Sequence, residues 1–99
     1  MDTIQYVREI VAFDTTSNLS NTALIDYLED RLQRMGFRTE RLEYDDEDKV
    51  RKASVVGKKG EGSGGMAYFG HTDVVPADSW FTEEQGPFTP AIRAGRLYG

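Results

Sequence analysis

His71 is the only histidine in a chain of 99 residues, and Asp73 stands two positions after it in Gly70-His71-Thr72-Asp73-Val74-Val75-Pro76. An imidazole can ligate a metal or move a proton near neutral pH. Side chains at i and i+2 of an extended segment share a face, so the Asp73 carboxylate can approach the ring. A carboxylate so placed orients the imidazole and selects its tautomer, as it does around metal-bound histidines. Taken alone, the residues leave two readings open. A His–Asp pair is more often a hydrogen-bonded structural or surface pair, and a catalytic zinc needs about three protein ligands. There is no cysteine, so thiolate ligands and cysteine nucleophiles are excluded. The acidic residues between 43 and 48 could add oxygens, but so dense a run reads first as a solvated face.

The elements that must hold this pair follow from hydrophobic spacing. Ile4, Val7 and Val11, with Ile10 beside them, predict a helix over 3–13, opened by an Asp2/Gln5 capping box. Asp14-Thr15-Thr16-Ser17-Asn18 interrupts it with residues that favour turns and caps. Leu24, Ile25, Leu28, Leu32 and Met35 lie within about 100° of arc and predict a second helix over 21–35 with that stripe in the core. Ser20 or Asn21 can cap its start, and Gly36 stands where a left-handed C-terminal residue is expected. Phe37–Tyr44 reads as a charged edge strand, Ala53–Gly57 and Met66–Gly70 as two more strands. The glycine-rich residues 58–65 read as the hairpin connector between the last two. His71 would then leave the C-terminal end of a strand, where α/β proteins expose reactive groups. Beyond Thr72 the prolines and glycines predict irregular chain, with Trp80, Phe81 and Phe88 either anchoring a loop or walling a cleft.

Composition bounds the rest. Hydrophobic residues are 38% and charged residues 29%, an ordinary globular balance that allows one small domain. A net charge of −5 argues against nucleic acid as a partner. Acidic residues over 40–48 and basic residues over 49–59 read as solvated faces of opposite sign. Gly60-Glu61-Gly62-Ser63-Gly64-Gly65 matches a dinucleotide fingerprint only in spelling, since a strand and not a helix is predicted to follow. No run approaches the roughly 20 apolar residues of a membrane span. Met1-Asp2-Thr3-Ile4-Gln5 carries no signal pattern, so a soluble cytoplasmic protein is expected.

The segment Gly70–Pro76 resembles the first metal-binding motif of the family of acetylornithine deacetylase, succinyl-diaminopimelate desuccinylase, aminoacylase and the glutamate carboxypeptidases. Trp80, Gly86-Pro87-Phe88-Thr89-Pro90, Gly95-Arg96-Leu97-Tyr98-Gly99 and, upstream, Ala12-Phe13-Asp14-Thr15-Thr16-Ser17 are similar to that family's flanking stretches in the same order. The resemblance implies a dinuclear zinc enzyme, cobalt serving in some members, that hydrolyses the amide of N-acyl amino acids or small peptides. It assigns His71 as the first metal ligand and Asp73 as the carboxylate that orients it. It implies an α/β fold in which residues 1–99 form the N-terminal part of a three-layer, mixed-sheet catalytic domain. The bridging aspartate, the general-base glutamate, the other ligands and a lid or dimerisation domain would lie beyond Gly99. A homodimeric parent is compatible with it.

On this reading the 99 residues alone are expected to be inactive and marginally stable. The competing expectation is a noncatalytic, stand-alone interaction module. Such a module should close on a polar, capped tail, whereas Gly95–Gly99 stands in mid-motif, which favours the partial-domain expectation.

Overall fold

The computed structural model describes residues 2–80 and 84–99. Phe81, one of the three aromatic residues considered for a cleft wall, lies outside the described residues. Two helices are followed by two antiparallel hairpins: α1 Thr3–Val11, α2 Thr22–Arg34, β1 Arg38–Asp45, β2 Arg51–Lys58, β3 Ala91–Arg93 and β4 Arg96–Tyr98. Helices and strands are thus mixed, as an α/β assignment requires.

α1 starts on the expected capping box: the Asp2 carboxylate accepts from Gln5 N and the Gln5 side chain accepts from Asp2 N, both at 2.9 Å. α2 ends in a Schellman turn, with Gly36 at φ +85° and bonds from Gly36 N to Gln33 O and from Phe37 N to Leu32 O. Its stripe is the core of the described molecule. Leu24 and Ile25 are 3% and 2% exposed, and they are joined by Ala53 of β2. Gly57 permits the close approach, because a Cβ there would stand 3.2 Å from Leu32 Cδ1 and Phe37 Cδ1. Met35, expected in the stripe, is exposed; it is the C-terminal cap, past the last helical turn.

β1 and β2 run antiparallel from Arg38↔Lys58 to Asp45↔Arg51. Their connection is the turn over 46–50, where Asp46 Oδ1 accepts from Asp48 N and Val50 N at 2.9 Å and Lys49 takes φ +63°. Residues 58–65, expected to connect a hairpin from 53–57 to 66–70, lead to no second strand; the hairpin here pairs the strands expected over 37–44 and 53–57. Its pairing also sets the acidic and basic runs side by side, with Asp45 3.1 Å from Arg51. Arg41 crosses from β1 to the polar face of α2, reaching Asp26 and Glu29 as well as Glu43. The hydrogen bond to Asp26, first among these, holds its guanidinium above the ordinary arginine value.

Two expectations fail. Met66–Gly70 forms no strand, with Met66 99% and Tyr68 95% exposed. Its composition suits a half-buried pleated surface, yet no described strand lies against it, and propensity without a partner forms no ladder. Among the described residues both hairpins are antiparallel, and parallel pairing is confined to the single bridge Thr16↔Val74. Residues 91–98, expected to be irregular, instead form the β3–β4 hairpin. Ala94 and Gly95 both take positive φ, +48° and +74°, the geometry of a tight two-residue turn that matches strand twist.

Candidate metal-ligand segment

His71 and Asp73 come together as the spacing anticipates. Nδ1 of His71 lies 2.9 Å from Oδ1 of Asp73. A carboxylate can only accept, so this contact places a proton on Nδ1, and in the neutral ring the lone pair is then on Nε2. The His71 side chain is 84% exposed, which leaves Nε2 open to a ligand. The pair stands at the edge of an apolar cleft of about 990 Å³, which Trp80, Phe88, Ile10 and Phe13 also line. Trp80 is held there by its indole N–H, which donates to the Gln85 carbonyl at 2.9 Å. Trp80 therefore both anchors a loop and faces the cleft that His71 also lines, and Phe88 faces the same cleft.

What positions this segment is the loop over 14–21, whose residues are expected from their types to break one helix and cap the next. Val74 N donates to Thr15 O at 3.1 Å and Ser17 N to Val74 O at 2.9 Å, forming the parallel bridge. Thr15, 5% exposed, donates its hydroxyl to the carbonyl of Thr72 at 2.6 Å. The loop is in turn fixed to β2. Lys52 Nζ donates to the carbonyls of Ser17 and Leu19, and Asn21 bonds the backbone of Ala53. His71 is thus located through β2, then the loop, then Thr72 and Val74. The signal for this was present in the cluster of small hydroxyl and amide residues from Asp14 to Asn21. Their partners, more than thirty positions away, were not.

The donor chemistry fits one metal ligand with its orienting carboxylate. It does not fit a complete centre: among the described residues no group of three or more His, Asp or Glu side chains could hold a metal. α1 and α2 meet through Glu9, which accepts from Tyr27 and Arg31, and Phe13, just past α1, has its ring centre 5.5 Å from that of Tyr27 on the wall of the cleft. Burial, reinforced by Glu9, raises the Tyr27 phenol above its ordinary value. No helix among the described residues is long and apolar enough to cross a membrane.

Curated relatives align along almost the whole chain. It is 40% identical over 93 residues to acetylornithine deacetylase of Myxococcus xanthus, covering 91% of this chain and 24% of that protein. It is 31% identical over 97 residues to succinyl-diaminopimelate desuccinylase of Rickettsia canadensis (strain McKiel), covering 97% and 25%. Acetylornithine deacetylase of Proteus mirabilis (strain HI4320) is 38% identical over 93 residues, covering 91% and 22%. The chain therefore spans about a quarter of the length of these relatives. No family model and no solved structure matches it. Similarity of this extent to deacetylases and desuccinylases alike shows that the chain belongs to the amidohydrolase family that contains acetylornithine deacetylase and succinyl-diaminopimelate desuccinylase.

Proposed function

We propose that this chain is the N-terminal portion of the catalytic domain of a dinuclear zinc hydrolase, and that it supplies the first metal ligand through Nε2 of His71. The parent would cleave the amide of N-acyl amino acids or small peptides in the cytoplasm, as a three-layer α/β enzyme. The observation that carries this reading is the His71–Asp73 contact of 2.9 Å on an exposed ring at an apolar cleft. The relatives' names add the reaction type, removal of an acetyl or succinyl group.

Asp73 acts by holding the proton at Nδ1, so that Nε2 presents its lone pair outward. A bound zinc supplies Lewis acidity toward a carbonyl oxygen and toward water. Trp80 and Phe88 offer an apolar wall that excludes bulk water from one side of the cleft and packs the aliphatic part of a substrate. The proton transfers belong to a glutamate outside these residues, so the 99 residues alone are inactive. Cobalt could replace zinc, since imidazole and carboxylate ligands accept both. Dimerisation would reside in the remainder of the protein.

The test is made on the full-length polypeptide that carries this chain. Zinc content and hydrolysis of N-acetyl and N-succinyl amino acids are measured for the wild type and for His71→Ala. Loss of zinc and turnover in the variant is the expected result. Undiminished zinc and turnover would defeat the assignment. Wild-type protein that binds no zinc and cleaves no amide would favour the noncatalytic interaction module, with the exposed Met66, Tyr68 and Phe69 as its contact surface.

A further inference from the structure

Asn21 is the N-cap residue of α2, yet its side chain makes no capping bond. Asparagine at that place ordinarily accepts from a backbone N–H of the first turn. Here Oδ1 accepts from Ala53 N at 2.8 Å, and Nδ2 donates to Ala53 O at 2.8 Å and to Thr72 Oγ1 at 3.0 Å. Only one orientation of the amide serves, because a turned-over group would set NH₂ against N–H and oxygen against oxygen. The carboxamide occupies the edge of β2 as a neighbouring strand would. It transmits that edge's position to the residue next to His71.

We infer that Asn21 is a positioning residue for His71, acting through the Thr72 hydroxyl. The inference rests on the reading of His71 as a metal ligand and adds the device that places it. Metal ligands must stand within about 0.2 Å of their proper distance. Among the described residues no strand ladder lies immediately upstream of His71. The immediate anchors are Thr72, held by Asn21 at its hydroxyl and by Thr15 at its carbonyl, and the bridge at Val74. Of these, the Asn21 bond is the one that ties the segment directly to β2.

Thr72→Val removes the hydroxyl and leaves the carbonyl that Thr15 uses, while Thr72→Ser keeps both. Asn21→Asp retains the shape but turns the donor toward Ala53 O and Thr72 into an acceptor. Each variant of the full-length protein is compared by zinc affinity, in competition with a chromophoric chelator, and by the ring ¹⁵N and ¹H signals of His71 in the metal-free protein. His71→Ala identifies those signals by their disappearance. Thr72→Val and Asn21→Asp are expected to weaken zinc binding about 10-fold or more and to shift or broaden the His71 ring signals. Thr72→Ser should leave both as in the wild type. Wild-type ring signals in Thr72→Val overturn the inference, even if the melting temperature falls, because the hydroxyl would then be merely structural. If His71→Ala retains full zinc, the ligand assignment fails instead. The ring signals of metal-free Thr72→Val still decide whether Asn21 places the imidazole.

Discussion

The α2–β1–β2 region and the arm from Met66 to Trp80 solve the problem of position by different means. In the first, apolar side chains meet one another: Leu24, Ile25 and Ala53 are buried, and the strands pair along eight residues. In the second, the apolar residues Met66, Tyr68, Phe69 and Val75 face solvent, and polar bonds at Thr72 and Val74 hold the chain. Hydrophobic burial is non-directional and tolerates small shifts, whereas hydrogen bonds specify geometry. The candidate ligand sits on the region whose placement depends on directional bonds. The difference suggests that stability and site geometry can be perturbed separately.

The sharpest way to break the comparison is to damage the packed region. Leu24→Ala should lower unfolding free energy by about 2–5 kcal/mol in urea titration, through lost burial and a residual cavity. A cost under about 1 kcal/mol would mean that this core is not what holds the chain together. Thr15→Val addresses the polar region, leaving the Thr72 carbonyl without its buried donor at a cost of about 1–3 kcal/mol. The same change should disturb the His71 ring signals, which Leu24→Ala in still-folded protein should not. Ala94→Asn is expected to stabilise by about 1 kcal/mol, because asparagine tolerates the left-handed conformation that Ala94 is held in.

A pH scan sharpens the same contrast at the α1–α2 contact. The raised phenol of Tyr27 favours the folded state while protonated. That contribution is fully present below the unfolded value of about 10 and is lost as pH rises through the higher folded value. Stability should therefore fall on the alkaline side, and Tyr27→Phe should flatten that slope. The smallest effect is reserved for the arm. Tyr68→Ser and Phe69→Ser should change stability by no more than about 0.5 kcal/mol while reducing self-association of the chain, measured by its concentration-dependent mass. A large loss of stability would show that these side chains are packed in solution.

Much of the first region was legible because its determinants are local. The 3.6-residue spacing of Leu24, Ile25, Leu28 and Leu32 and the glycine at 36 specify a helix and its end without reference to distant chain. The same is true of the Asp2/Gln5 box. Strands over 37–44 and 53–57 are legible, but the turn that joins them is not, because Asp46-Glu47-Asp48-Lys49-Val50 lacks the glycines that mark residues 58–65. The turn is in fact built by the Asp46 carboxylate accepting from two backbone N–H groups. The Ala94-Gly95 turn was missed because strands of three residues carry almost no alternation to detect. The Met66–Gly70 strand was over-read for the opposite reason: its composition is strand-like, and a ladder needs a partner that composition cannot supply.

The sequence by itself determined which groups are available: one histidine, a carboxylate two positions on, an amphipathic α2 and two helix termini with their caps. These depend on residue chemistry and on interactions a few positions long. Only the tertiary structure decided where the histidine stands. Thr15 reaches Thr72 across 57 positions, Asn21 reaches Ala53 and Thr72 across 32 and 51, and Lys52 reaches the loop across 33 and 35. Such bonds have no period and no local signature, because the directionality that makes them accurate appears only once the chain has brought both partners together.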